Sequence, residues 1–274
     1  MTSSSSPLIV PLDSVPDYLP KDIGKTGLEA LGKDDYKTPR IILLQPLSPQ
    51  VTSNPGLALP NNYWHTGLNI SLGTTFDFIP TVAAKRVILF RPREDQNGGI
   101  LAFSKNAVDW DTGGNQEFRV KIKGKKEPVI WKTGSNVINS KLTEFGTMDP
   151  DDPHSAPAAV ISYEYLCYLP ARPELSPCVM LVNKTGLPNG KQLNTALAMQ
   201  AKGGRPIWCL GVRASVEEKH KDGNKWTVPA FNLIGYASKE AYEQAKKVAD
   251  MYGDFKVEYD QEEMTPKVDD EIPF

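Results

Sequence analysis

Proline sets the first limit on what this chain can fold into. There are 23 prolines and 21 glycines among its 274 residues. Each proline fixes its own φ and withholds a backbone N–H, so it ends helices and is confined to the edges or bulges of sheets. Spread along the whole chain, they leave room for short strands joined by turns, and they argue against a helical bundle or a coiled coil. The segments between them are rich in Val, Ile, Phe, Tyr and Trp and are bounded by Gly, Pro and Asn. Strands are expected from residue 39 to 44, and then at 76–82, 86–91, 100–104, 117–123, 129–132, 159–168, 178–183, 206–216 and 225–236. Two helices are expected, at 191–201 and 239–252. The second has Ser238 as its N-cap and an apolar stripe of Ala241, Tyr242, Ala245, Val248, Ala249 and Tyr252. The loop from His220 to Lys225 contains Gly223 and reads as a hairpin. The fold class is therefore mainly β with a few helices. Residues 1–37, rich in Ser, Pro and Asp, read as a flexible leader, 38–254 as a single β-rich domain, and 255–274 as a disordered acidic tail.

Hydrophobic residues make up 40% of the chain and charged residues 23%, which is enough apolar material for a core and excludes wholesale disorder. No apolar run approaches the ~20 residues that span a bilayer. The first residues carry neither a basic segment nor a long apolar one, unlike a secretory signal. Three widely spaced cysteines, Cys167, Cys178 and Cys209, fit a reducing compartment, so a cytoplasmic location is expected.

The net charge of −2 hides a segregation. Residues 255–274 hold two basic and seven acidic side chains, whereas the other 254 residues hold 29 basic and 26 acidic. From residue 175 to 216 there is no acid, against Lys184, Lys191, Lys202, Arg205 and Arg213. Residues 78–93 are also free of acids and carry Lys85, Arg86, Arg91 and Arg93. A mildly basic body with an acidic tail points to a polyanionic partner, although a charge run can also be plain solvated surface.

The segment 117–123 is the most informative. Phe118, Val120 and Ile122 alternate with Arg119, Lys121 and Lys123. In a strand this puts apolar groups on one face and a row of three cations on the other. Like charges on one face repel, and a polyanion lying along the row would relieve that repulsion. The competing reading is an edge strand kept from aggregating by its lysines. Lys125 extends the row, and Lys85, Arg86, Arg91 and Arg213 are further candidates for phosphate contact. Aromatic residues lie among the cations: Trp110 and Trp131 flank the segment, Phe90 precedes Arg91, and Trp208 follows Arg205. Proteins that hold single-stranded nucleic acid need both cations for phosphates and flat rings for bare bases. Trp131, Trp110 and Trp208 are the expected stacking residues, against the reading that they are core.

Catalytic and cofactor motifs fail. Gly24-Lys25-Thr26 lacks the upstream glycine and strand of a phosphate-binding loop, and no Gly-x-Gly-x-x-Gly or Gly-x-Ser-x-Gly occurs. The cysteines and the three histidines do not form a zinc pattern. Asp149, Asp151 and Asp152 lie among prolines and read as a solvated turn more readily than as a metal-dependent nuclease site. No cofactor, no metal and no enzymatic step are expected.

The chain ends Asp269-Asp270-Glu271-Ile272-Pro273-Phe274. Phe274 would offer a ring and a carboxylate together, which a pocket with an apolar floor and a basic rim can hold. This ending resembles the C-terminal tip of bacterial single-stranded DNA-binding proteins, Asp-Asp-Asp-Ile-Pro-Phe, with Glu271 in place of one aspartate. The resemblance implies that these six residues bind replication and repair enzymes of the host. The body, through Pro39–Val51, Trp64–Asn69 and Leu89–Pro92, resembles phage single-stranded DNA-binding proteins, which implies an elaborated OB-fold-like barrel. The expected function is sequence-independent binding of single-stranded DNA in phage replication or recombination, with no membrane partner. Homo-oligomerisation stays open. The alternatives are a strand-annealing recombination protein, a nuclease, and an adaptor that binds no DNA.

Overall fold

The computed structural model describes residues 38–252, apart from 93, 94, 96, 97 and 222. The leader at 1–37 and the tip residues Asp269, Asp270, Glu271, Ile272, Pro273 and Phe274 lie outside the described residues. In chain order the elements are β1 (Arg40–Leu43), α1 (Pro49–Ser53), β2 (Tyr63–His65), β3 (Ile70–Gly73) and β4 (Phe76–Phe90). Then come β5 (Ile100–Ser104), β6 (Glu117–Val120), β7 (Val129–Lys132), α2 (Val137–Ser140), β8 (Ala159–Tyr168) and β9 (Cys178–Asn183). The last four are α3 (Leu187–Ala201), β10 (Leu210–Lys221), β11 (Asn224–Tyr236) and α4 (Lys239–Tyr252). The protein is mainly β, and nine strands form one sheet in the order β11-β10-β4-β8-β9-β1-β2-β3, with β5 also on β4. The sheet curls into a half-barrel.

Strand β4 organises it. One edge pairs with β8 from Ile79↔Tyr168 to Leu89↔Ala159. The other holds β10 near its start and β5 near its end. The sequence pattern divides β4 in two, because Pro80 lacks an N–H and Ala83-Ala84-Lys85 is a poor strand former. A register shift between Pro80 and Val82 absorbs the proline, and pairing with β8 carries the strand through the alanines.

Strand β8 is covered on both sides. Tyr163, Tyr165 and Cys167 join Cys178, Met180 and Val182 of β9, Phe78 and Val212 in the main core, which Leu193 and Leu197 of α3 close. Gly190 lets α3 approach so closely, since a Cβ there would stand 2.8 Å from Tyr163 Cδ2. The Tyr165 hydroxyl donates to Asn194 Oδ1 at 2.7 Å, which ties the helix to the sheet. On the opposite face, Leu166, Tyr168 and Val179 pack against Ala245 and Val248 of α4. Ser238 caps α4, its Oγ accepting from Ala241 N at 3.2 Å.

A third core gathers Val87, Leu89, Ala102, Trp110, Val120, Ile122, Trp131, Val137 and Leu142. It supports β6 and β7, which form a separate two-stranded sheet. Helix α3 begins four residues before its expected start, because Pro188 falls in the first turn, where no N–H is needed. The short elements α1, β2, β3 and α2 carry too few residues to show a period in the sequence. No helix among the described residues is long and apolar enough to cross a membrane.

Candidate nucleic-acid interface

Strands β6 and β7 pair from Glu117↔Lys132 to Val120↔Val129. Regular strand geometry stops at Val120, three residues before its expected end, yet the alternation of burial runs on to Lys123. Val120 and Ile122 are buried, while Arg119, Lys121 and Lys123 are exposed. Ile122 keeps the alternation going because it packs in the third core beside Val120. The chain then turns at Gly124, whose φ of +86° favours glycine. The outer face of the hairpin thus presents three cations in a row. Across from Arg119 stands Ile130, 46% exposed.

No ion pair to Arg119, Lys121 or Lys123 occurs among the described residues. Their neighbours are engaged. Lys132 pairs with Glu117 at 2.5 Å. Lys125 binds Asp149 at 3.0 Å and Asp151 at 2.8 Å, and its hydrogen bonds to Asp151 and Asp149 raise its pKa. That contact gives Lys125 carboxylate partners, which the three cations of the row lack among the described residues. It bridges two of the three aspartates considered for a nuclease, and Asp149 and Asp152 also accept from the Asp151 and His154 amides. Among the described residues no group of three or more His, Cys, Asp or Glu is placed to hold a metal ion.

Arg91 joins the row through Asp95. Its Nη1 donates to Asp95 Oδ2 at 2.9 Å, and the Lys121 amide lies 3.4 Å from the same oxygen. The end of β4 is thereby held against the start of the hairpin turn. Lys85 is exposed in the middle of β4. Arg213 is committed elsewhere: its Nε and Nη2 reach the two oxygens of Asp77 at 2.7 and 2.9 Å, and the hydrogen bond from Arg213 lowers the Asp77 pKa.

Three of the expected site residues are corrected. Arg86 is 3% exposed and pairs with the equally buried Glu164 at 2.5 Å, so it offers nothing to a phosphate. Its position in an acid-free sequence run hid a carboxylate that arrives from β8. Trp131 and Trp110 are 1% and 5% exposed. The register sets Trp131 across from Phe118, on the apolar side of the hairpin, and its Nε1 donates to the Met148 carbonyl at 3.3 Å. Trp110 Nε1 donates to the Thr133 carbonyl at 2.9 Å. Both indoles are core residues with satisfied N–H groups and show no face to a base.

Trp208 is half-buried and walls a cleft of about 460 Å³ with Val82, Arg205, Ile207 and Ala249. Four aromatic rings are exposed among the described residues: Phe90, Phe145, Tyr236 and Tyr252. Phe90, 40% exposed, is next to Arg91 and was visible in the sequence as a ring between two arginines. Phe145 and Tyr236 were missed, since nothing in a linear pattern separates an outward ring from an inward one without the register.

The chain matches the model of one protein family over residues 9–258. It belongs to the Pam3 phage gp34-like protein family. Membership makes it a phage protein. No curated protein and no solved structure matches the chain. The β6–β7 hairpin of this gp34-like protein is a described surface that combines three cations without ion pairs among the described residues and a rigid support.

Proposed function

We propose that this gp34-like protein binds single-stranded DNA without regard to sequence, during replication or recombination of phage DNA. The reading rests on the exposed row of Arg119, Lys121 and Lys123. These cations repel one another and lack carboxylate partners among the described residues. The buried Val120, Ile122 and Trp131 beneath them fix the row to the domain. A hairpin held this firmly contributes cations at little further cost in ordering. Along an extended chain, alternate residues lie about 6.8 Å apart, so the row reaches successive phosphates of one flexible strand. Each neutralised phosphate releases counterions, which makes the binding fall with salt. Phe90 beside Arg91 supplies an apolar ring at the same end of β4.

The terminal residues Asp269–Phe274 would recruit host replication or repair enzymes, as the chemistry of an acidic segment ending in Ile-Pro-Phe suits an apolar pocket with a basic rim. The direct test is oligo-dT binding by the full chain and by the charge-reversed variant R119E/K121E/K123E. The variant is expected to lose at least tenfold in affinity. A loss below twofold would remove the hairpin from the site.

A further inference from the structure

With Trp110 and Trp131 in the core, the rings that would stack on bases must come from elsewhere. Tyr236 closes β11 opposite Leu210, and 62% of its surface is exposed. The Arg205 guanidinium lies over the ring, 5.7 Å from its centroid. The hydroxyl is 3.3 Å from Gln200 Oε1 in the last turn of α3, so the ring is steadied at its far end. Among the described residues, Tyr236 is the exposed ring with a cation over it. Lys202 and Arg205 are exposed, and no carboxylate pairs with either among the described residues. Both belong to the acid-free run 175–216. Arg205 also walls the cleft that holds Trp208.

We propose that Tyr236, with Arg205, is a stacking platform for a base of single-stranded DNA, at a second contact point separate from the β6–β7 hairpin. The inference rests on the DNA-binding reading above. Its chemistry is distinct, since the β6–β7 row offers charge while this platform offers a π-face with a guanidinium over it. A base can stack on the open part of the ring while the Arg205 guanidinium meets a flanking phosphate. Because every base has a π-face, the platform does not select sequence.

The test measures full-chain affinity for oligo-dT and for an abasic strand with the same number of phosphates. Tyr236→Ala is expected to weaken oligo-dT binding at least fivefold, to weaken abasic-strand binding less than twofold, and to leave the salt dependence unchanged. Tyr236→Phe keeps the ring and is expected to stay within twofold of the parent. An Ala variant that binds oligo-dT like the parent, or one that loses equally on both strands, would overturn the platform while leaving the hairpin reading intact. A parent chain that binds neither strand would overturn the DNA-binding reading and the platform with it.

Discussion

Replacing Arg119, Lys121 and Lys123 together by glutamine removes three positive charges and breaks no ion pair among the described residues. The side chains are exposed and the residues that anchor the hairpin, Val120, Ile122 and Trp131, are untouched. Stability should therefore stay within about 0.5 kcal/mol of the parent, as for other surface substitutions. The effect on binding can be worked out. Each phosphate contact on a single strand contributes about 0.7 to the slope of log affinity against log salt, so three contacts contribute about 2. Over a rise from about 50 to about 200 mM salt, that share of the slope costs the parent about 18-fold in affinity. The variant lacks it. Fluorescence anisotropy of labelled oligo-dT at four salt concentrations gives both slopes. The expected result is a variant slope shallower by about 2. A change smaller than about half a contact, with the variant still folded, would refute the claim that these cations lie on phosphates.

The buried pair of Arg86 and Glu164 gives a second prediction. Arg86→Met leaves Glu164 charged in the interior and should cost about 3–5 kcal/mol in urea unfolding, while oligo-dT affinity per folded molecule stays unchanged; a loss of affinity without loss of stability would return Arg86 to the binding surface. Trp131→Ala empties a site that is 1% exposed and should cost about 3–5 kcal/mol; if it instead weakened binding at unchanged stability, the indole would be a stacking residue after all. His65 sets a pH dependence. Burial, assisted by Arg172 and opposed by the Leu175 carbonyl, lowers its pKa below the ordinary 6.5. The unfolded chain then takes up the proton first as pH falls, so this contribution to stability is complete above about 6.5 and declines below it. Unfolding at about pH 7.5 and about pH 5.5 should show a drop that His65→Gln reduces, and an equal drop in both proteins would contradict it.

Much of the architecture was legible because period-two alternation and turn residues are local signals. The bounds of β5, β7, β8, β9 and α4 follow the sequence pattern, and the hairpin around Gly223 closes at Lys221↔Asn224 as its glycine implies. The long β4 was not legible. Its continuity comes from ten cross-strand pairs with β8, about eighty residues away, which outweigh the local preference of Pro80 and the alanines. The site divides along the same line. Arg119, Lys121 and Lys123 could be placed on one face from alternation alone, since each burial decision depends on the adjacent residue. Trp131 could not, because its side of the hairpin depends on the register with Phe118. The fates of Arg86, Lys125 and Arg213 depend on Glu164, Asp149, Asp151 and Asp77, carboxylates that reach them from other strands and loops.

In the function proposed above, the protein grips bare strands through charge and stacking together. The most direct measurement is a side-by-side titration of the full chain with a single-stranded oligonucleotide of mixed sequence, its complement, and the duplex they form. Equal, saturable binding to the two single strands and at least tenfold weaker binding to the duplex are expected. Binding confined to one strand, binding as tight to the duplex, or none at low salt would contradict it.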